Sequence, residues 1–119
     1  MNTVQSGAAG EQAASEYLTR KGYRVLARNF RKSCGELDIV ALDGKTLVFV
    51  EVKKRATAAF GGPLAAVTLS KQKKIVLTAQ YFIKEKAPKF DSIRFDVLCL
   101  LAGEITHIEN AFLPQRGTL

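Results

Sequence analysis

Charged side chains interrupt two apolar, β-rich segments of the chain. Asp38 lies in the middle of one segment, and Glu51 and Lys53 end the next. Because side chains alternate along a strand, Glu51 and Lys53 share one face. A charge where the pattern predicts burial costs free energy unless it is paired or binds a ligand. These three residues are therefore the first candidates for chemistry.

The connection between the two segments predicts how they pair. Residues 43–46 (sequence DGKT) contain the Asp-Gly pair typical of a hairpin turn. If these four residues form the connection, Leu42 faces Leu47, and counting outward places Asp38 opposite Glu51. Opposed side chains have Cβ atoms about 4.5 to 5.5 Å apart, so two carboxylates there repel each other unless a cation lies between them. A two-residue turn is expected to keep the shared face but shift the pairing, whereas a three-residue turn would separate the carboxylates.

This residue set suits the hydrolysis of a phosphodiester. An oxygen-ligated Mg²⁺ held by Asp38 and Glu51 can neutralise charge on the scissile phosphate and generate hydroxide near neutral pH. The ammonium group of Lys53 can hold the attacking water or stabilise the developing charge. The alternative for Lys53 is a salt bridge with Glu51 at a strand end. The expected cofactor is therefore Mg²⁺, with Mn²⁺ as a substitute.

Glu11 offers a third carboxylate. At about 100° per residue, Glu11 falls on the same helix face as Ala14 and Leu18, whereas Glu16 falls on the opposite face. We therefore expect Glu11 to face the core and to join the metal site. The alternative is that Glu11 pairs with an arginine or caps a neighbouring backbone group.

The candidate residues lie on a predictable succession of elements. The patterns predict one α/β domain over residues 1–119, ordered α-β-β-β-α-β-β, with the third and fourth strands parallel because a helix connects them. Ser70 can cap the second helix, residues 54–63 are predicted to form a mobile loop, and the tail from about residue 113 is predicted to be loosely held. The predicted helices span 7–21 and 70–86, and the predicted strands span 23–29, 36–42, 47–52, 93–101 and 105–109.

The charge balance favours a polyanionic partner. Lys and Arg number 18 against 11 Asp and Glu, giving a net charge of +7. Nucleic acid or an anionic membrane would fit this charge. The apolar runs are far shorter than the ~20 residues that span a bilayer, and the first ten residues do not resemble a signal peptide. We therefore expect a soluble, cytoplasmic protein that binds nucleic acid, most simply DNA, and no membrane.

Two basic clusters flank the candidate site. Lys54 and Arg55 follow it directly, and Lys71 and Lys74 lie in the first turns of the second predicted helix. Lys71 shares its helix face with Ile75, so it is expected to point toward the site and contact a phosphate. The alternatives are that Lys71 pairs with a core carboxylate and that Lys74 is an ordinary solvated charge.

The cysteines and the histidine give no second site. Cys34 and Cys99 lie in different segments without zinc-ligand spacing, and both are expected to be reduced. His107, the one histidine in the sequence, lies in a short apolar stretch without a surrounding motif. Neither a zinc site nor histidine-based nucleophilic catalysis is expected.

An acidic residue on one strand followed by Glu-x-Lys at the end of the next resembles the PD-D/E-x-K nuclease superfamily, and the whole chain looks like the YraN family of predicted bacterial endonucleases. Asp38 follows Leu37 here, where the literal motif has proline. The matching segments, from about residue 7 to residue 100, are Gly10-Glu11 with Ala14 and Leu18, Gly22-Tyr23, Arg28-Asn29, Gly35-Glu36-Leu37-Asp38, Phe49-Val50-Glu51-Val52-Lys53 with Arg55, Lys71, and Arg94-Phe95-Asp96-Val97.

The YraN family is similar to archaeal Holliday-junction resolvases. The resemblance implies a restriction-endonuclease-like core, in which helices flank a central mixed sheet, with Glu11, Asp38, Glu51 and Lys53 as the site. The leading hypothesis is a Mg²⁺-dependent endonuclease acting on DNA, with branched or damaged DNA as candidate substrates. The alternatives are a non-cleaving nucleic-acid-binding module on the same fold and a protein-interaction domain. Junction resolution would require a homodimer with paired sites, which the sequence does not show.

Overall fold

The structure, a computed structural model, describes residues 3–55 and 67–114, with side chains described for residues 9–54 and 67–114. Over this part of the chain the predicted order α-β-β-β-α-β-β is confirmed. The elements are α1 (Thr3–Arg20), β1 (Arg24–Lys32), β2 (Gly35–Asp43), β3 (Thr46–Arg55), α2 (Leu69–Lys86), β4 (Ser92–Leu101) and β5 (Glu104–Ile108).

The described strands form one mixed sheet in the order β1-β2-β3-β4-β5. The pairs β1–β2, β2–β3 and β4–β5 are antiparallel, whereas β3 and β4 run parallel because α2 carries the chain back to the starting end of the sheet. β2 and β3 are thus internal strands, as their apolar residues on both faces predicted.

Each helix covers one face of the sheet. Ala14 and Leu18 of α1 are fully buried in a cluster that includes Val48 and Val50 of β3. On the other face, α2 packs over a cluster that includes Phe49 of β3. Because consecutive residues of β3 point to opposite faces, a single strand supplies both cores. No helix in the described ranges is long and apolar enough to cross a membrane.

The β2–β3 hairpin has the predicted register with a shorter turn. Leu42 pairs with Leu47 as predicted, and the pairing continues to Asp43 and Thr46. Gly44, whose φ of 60° suits glycine, therefore lies in a two-residue turn. The expectation that a two-residue turn would shift the pairing was wrong, because the ladder only gains one pair.

The start of α2 differs from the prediction. Thr68, not Ser70, is the N-cap: its backbone is extended and its side chain accepts a hydrogen bond from the Lys71 backbone N–H at 3.2 Å. Ser70 lies inside the first turn, where its own side chain cannot cap the helix. The C-cap, Ala87, has a left-handed φ of 44°, and Pro88 follows, so the helix ends where predicted.

Strand β3 extends into the segment that was predicted as a mobile loop. Lys54 and Arg55 belong to β3, because their pairing with β4 continues to Leu100 and Leu101. The rest of that predicted loop lies outside the described residues. Of the predicted loose tail, Leu113 is 76% exposed, and residues 115–119 also lie outside the described part.

Candidate active site

β2 and β3 part beside Asp38. Their backbone pairing ends at Ile39 and Val50, one step before Asp38 and Glu51 would meet. Beyond that point the Val52 N–H donates to Asp38 Oδ2 at 2.8 Å, so a carboxylate replaces the backbone partner. The alternation of side chains along β2 is also interrupted here. Residues 37 and 39 of a regular strand would share one face, but Leu37 packs beneath α2 and Ile39 packs beneath α1. The separation of the strands creates a cavity.

This cavity brings most of the predicted site residues together. Its volume is about 350 Å³, and the first turns of α2 lie along it. Asp38 and Glu36 line it from β2, whereas Glu51 and Lys53 line it from β3. The other lining residues are Gly35, Val52, Lys71, Lys74 and Ile75. The cavity therefore contains carboxylates and ammonium groups close together at the end of an internal strand pair.

Three carboxylates from two elements converge next to the cavity. Oxygen atoms of Glu11, Glu36 and Asp38 all lie within 4.8 Å of one another, and all three residues are half-buried. Ligand oxygens on opposite sides of Mg²⁺ are about 4.2 Å apart, since each Mg–O distance is about 2.0–2.1 Å. The observed spacing of up to 4.8 Å is close to that distance. An all-oxygen donor set suits a hard cation such as Mg²⁺ or Mn²⁺.

Glu51 is not part of that carboxylate group. Its side chain is 8% exposed, and its Oε1 lies 3.2 Å from Lys53 Nζ and 2.8 Å from Lys71 Nζ. In the metal-free structure both lysines therefore follow the alternative prediction: Lys53 and Lys71 each form an ion pair with the buried carboxylate of Glu51. A cation bound at Asp38 would compete with both ammonium groups for Glu51.

The charge at Asp38 is poorly compensated. Burial raises the pKa of Asp38 to about 7, and the neighbouring charge of Glu51 acts in the same direction. The hydrogen bond from the Val52 N–H lowers the pKa and offsets only part of this effect. The Lys71 ammonium lies close enough to interact with the charge of Asp38, yet burial still disfavours the ionised carboxylate. A divalent cation would stabilise that ionised form further.

The two lysines differ in their hold on a proton. Burial lowers the pKa of Lys53, and the contact with Lys71 lowers it further, against the opposing effect of Glu51. For Lys71 burial also acts downward, but the hydrogen bond and charge of Glu51, together with the contact with Lys53, outweigh it and raise the pKa. Lys53 therefore releases its proton more readily than Lys71 does.

Sequence reasoning did not select Glu36. Its carboxylate joins those of Glu11 and Asp38, and it also pairs with Arg31 at 2.8 Å. The available signal was its position two residues before Asp38, which places both on one face of a regular strand. Glu16, predicted to face water, is exposed.

The predicted phosphate-binding lysines fall into two groups. Lys71 and Lys74 line the cavity. Lys54 is next to Lys53 but lies on the other sheet face, where it lines a separate cavity with Gly10 of α1 and Leu100 of β4. The side chain of Arg55 lies outside the described residues.

His107 has partners that its apolar sequence context did not reveal. Its Nε2 lies 2.7 Å from Asp96 Oδ2, and Arg94 donates to both oxygens of Asp96 at 2.9 Å. These bonds hold the pKa of Asp96 low although its burial acts in the opposite direction. None of these residues lines the cavity at Asp38. This buried cluster ties β4 to β5.

We expect Asp38→Asn to stabilise the metal-free protein more at pH 8 than at pH 5. The gain in the free energy of unfolding should differ between the two pH values by about 2 kcal/mol. The folded-state pKa of Asp38 lies above its unfolded value. The free-energy cost of folding with an ionised Asp38 is therefore absent at low pH and grows as the pH rises toward 7. Asparagine removes the charge and keeps an oxygen that can accept from Val52. Urea unfolding in EDTA measures the effect, with Glu16→Gln as the control. An equal gain at both pH values would contradict it.

The fold and the site together define a class of protein. It is an α/β protein with a cavity of carboxylates and lysines between two internal strands. The chain belongs to the uncharacterised protein family UPF0102, the YraN family, whose model matches residues 10–100. This confirms the resemblance seen in the sequence motifs. The matched segment includes Glu11, Asp38, Glu51 and Lys53.

Relatives from several bacteria match over most of their length. A UPF0102 protein of Geobacter sulfurreducens is 49% identical over 111 residues, covering 89% of this chain and 87% of the relative. One from Lachnoclostridium phytofermentans is 44% identical over 113 residues, covering 94% and 96%. One from Persephonella marina is 42% identical over 106 residues, covering 89% and 91%.

Proposed function

We propose that this protein is a metal-dependent endonuclease that hydrolyses phosphodiester bonds in DNA, with branched or damaged DNA as candidate substrates. The observation that carries this proposal is the cavity shared by Asp38, Glu51 and Lys53, next to which Glu11 and Glu36 approach Asp38. A cytoplasmic location, expected from the sequence, belongs to the same proposal.

The carboxylates provide a place for Mg²⁺ or Mn²⁺. Asp38, Glu11 and Glu36 can supply oxygen ligands directly, and Glu51 can do so after releasing its lysine partners. When bound, the ion would neutralise charge on the scissile phosphate and lower the pKa of a water molecule. The raised pKa of Asp38 supports this assignment, because a cation would offset both causes of the shift, burial first and repulsion by Glu51 second.

The two lysines have separate roles in this proposal. Lys53 holds and orients the attacking water, which it is placed to do at the end of β3 beside Glu51. Lys71 remains charged and contacts a non-bridging oxygen of the phosphate, where it stabilises the negative charge that develops. Binding of a cation by Glu51 would release Lys53 and Lys71 from their ion pairs and leave both side chains available for these roles.

One observation favours the second candidate, a nucleic-acid-binding module that does not cut. Lys53 and Lys71 both form ion pairs with Oε1 of Glu51, so the site is partly neutralised without a metal. In that case binding would depend on salt but would have no associated cleavage in Mg²⁺.

The test is a cleavage assay on linear, flapped, single-stranded and four-way DNA in Mg²⁺, Mn²⁺ or EDTA. The endonuclease proposal expects products in either metal that disappear in EDTA and with Glu51→Ala, and persist with Glu16→Ala. Products that remain with Glu51→Ala would assign the activity to a contaminant. Binding without products on all four substrates would favour the non-cleaving module.

Sedimentation of the protein with four-way DNA would show whether a homodimer forms.

A further inference from the structure

A second, more open cavity continues from the candidate active site. It has a volume of about 530 Å³ and includes Arg31, Lys32 and Cys34 at the tip of the β1–β2 hairpin. Its wall also contains Gly35, Glu36 and Lys74, which line the candidate active site as well. The two cavities thus share a wall, and together they are called here the hairpin groove, which extends from Asp38 to the hairpin tip.

The hairpin tip is held against α2. A Cβ atom at Gly35 would lie 2.9 Å from Thr78 Oγ1, so only glycine allows this approach. The Thr78 hydroxyl donates to the Lys74 carbonyl oxygen at 2.7 Å and lies 3.4 Å from Cys34 Sγ. Lys32 forms an ion pair with Glu85 of α2. The groove walls are therefore ordered before any ligand binds, which lowers the entropic cost of binding.

Cations line the groove at both ends. Lys53 and Lys71 lie at the inner end, and Lys74, Lys32 and Arg31 at the outer end. Within the described ranges, Arg31 pairs with Glu36 and Lys32 with Glu85, whereas Lys74 has no acidic partner. A metal ion on the inner carboxylates would leave a net positive channel. Such a channel fits a chain of phosphates, which present regularly spaced negative charges.

Lys73 provides a matched comparison for Lys74. The two lysines are adjacent on the same helix, carry the same charge and are both exposed. Lys73, however, lines an apolar groove with Leu69 and Leu77 on another side of α2. The two residues therefore differ in whether they face the hairpin groove.

We propose that the nucleic-acid backbone leaves the active site through the hairpin groove, with Lys74 contacting a phosphate and the hairpin tip lining its path. This inference rests on the nucleic-acid substrate of the proposed function but not on cleavage. It differs from the path predicted through Lys54 and Arg55, since Lys54 lies on the opposite sheet face.

Salt-dependent binding tests the contact. Fluorescence anisotropy with labelled single-stranded and duplex DNA in Ca²⁺ would compare wild type, Lys74→Ala, Lys73→Ala and Lys54→Ala, with the DNA checked for cleavage on a gel. Lys74→Ala should weaken binding several-fold and reduce the slope of log affinity against log salt by about 1. Lys73→Ala and Lys54→Ala should keep the wild-type slope. A lower slope with Lys54→Ala alone would overturn the inference.

Cross-linking tests the path itself. Cys99 is buried and Cys34 is half-buried in the groove, so a thiol-reactive photocross-linker would label Cys34 in the native sequence. We expect a DNA adduct that disappears with Cys34→Ser. Adducts and the Lys74 effect without cleavage would support the groove and reject the endonuclease. Cleavage without adducts and with an unchanged Lys74→Ala slope would reject the groove alone.

Discussion

Asp38→Asn should lower the rate of metal-dependent DNA cleavage by about 10³-fold or more, because a metal ion contributes several kcal/mol and each ~1.36 kcal/mol is tenfold in rate. Asp38 belongs both to the carboxylate group and to the cavity lining, and it is the more buried of the two residues for which this holds, the other being Glu36. Asparagine has almost the same volume and can still accept the Val52 hydrogen bond. The loss should therefore come from the missing ligand charge and not from misfolding. Single-turnover cleavage in Mg²⁺ measures it.

The stability of the Asp38→Asn variant is the control that excludes misfolding as the cause of lost cleavage. The variant should unfold at a higher urea concentration than wild type in EDTA at pH 8, while it fails to cut. Glu16→Gln, which removes an exposed carboxylate from α1, should leave both cleavage and stability unchanged. A folded Asp38→Asn protein that cuts at the wild-type rate would remove Asp38 from the site.

Lys53→Ala should lower the turnover rate by about 10²-fold or more while changing DNA affinity by about twofold or less. Lys53 lies beside Glu51 and Lys71 in the cavity, where its amino group can orient the attacking water. A group that acts on the attacking water contributes mainly to the transition state. Single-turnover rates and anisotropy on the same DNA separate the two quantities.

Lys45→Ala is the matched control for Lys53→Ala. Lys45 is exposed in the β2–β3 turn, at the other end of β3 from Lys53. Its removal should change neither rate nor affinity. Equal losses of rate and affinity in Lys53→Ala would reassign this lysine to simple phosphate binding.

The hairpin register could be predicted from sequence because it depends on local turn chemistry and on alternation. Leu42 pairs with Leu47 as the Asp-Gly turn indicated. The separation of β2 and β3 at Asp38 could not be predicted. The sequence pattern assumes that regular pairing continues to Asp38 and Glu51, whereas the backbone pairing ends one step earlier, at Ile39 and Val50. The side chain of Asp38 takes the place of a backbone partner there, a substitution that no periodic pattern encodes.

Long-range contacts were the other part that sequence could not supply. Glu11 was placed on the core side of its helix, but its approach to Glu36 depends on how α1 lies on the sheet. The partners of His107 likewise depend on the pairing of β5 with β4, in which His107 lies opposite Leu98 and diagonal to Asp96. The inward orientation of Lys71 was predictable from helical spacing, whereas its pairing with Glu51 was one of two alternatives.

The most direct test of the central claim, that the Asp38 cavity binds a catalytic divalent cation, is anomalous diffraction from a crystal soaked in Mn²⁺. We expect an anomalous peak within about 2.5 Å of an Asp38 oxygen, with further oxygen ligands from Glu11, Glu36 or Glu51. Peaks confined to the protein surface, with Glu51 still bound to Lys53 and Lys71, would contradict the account.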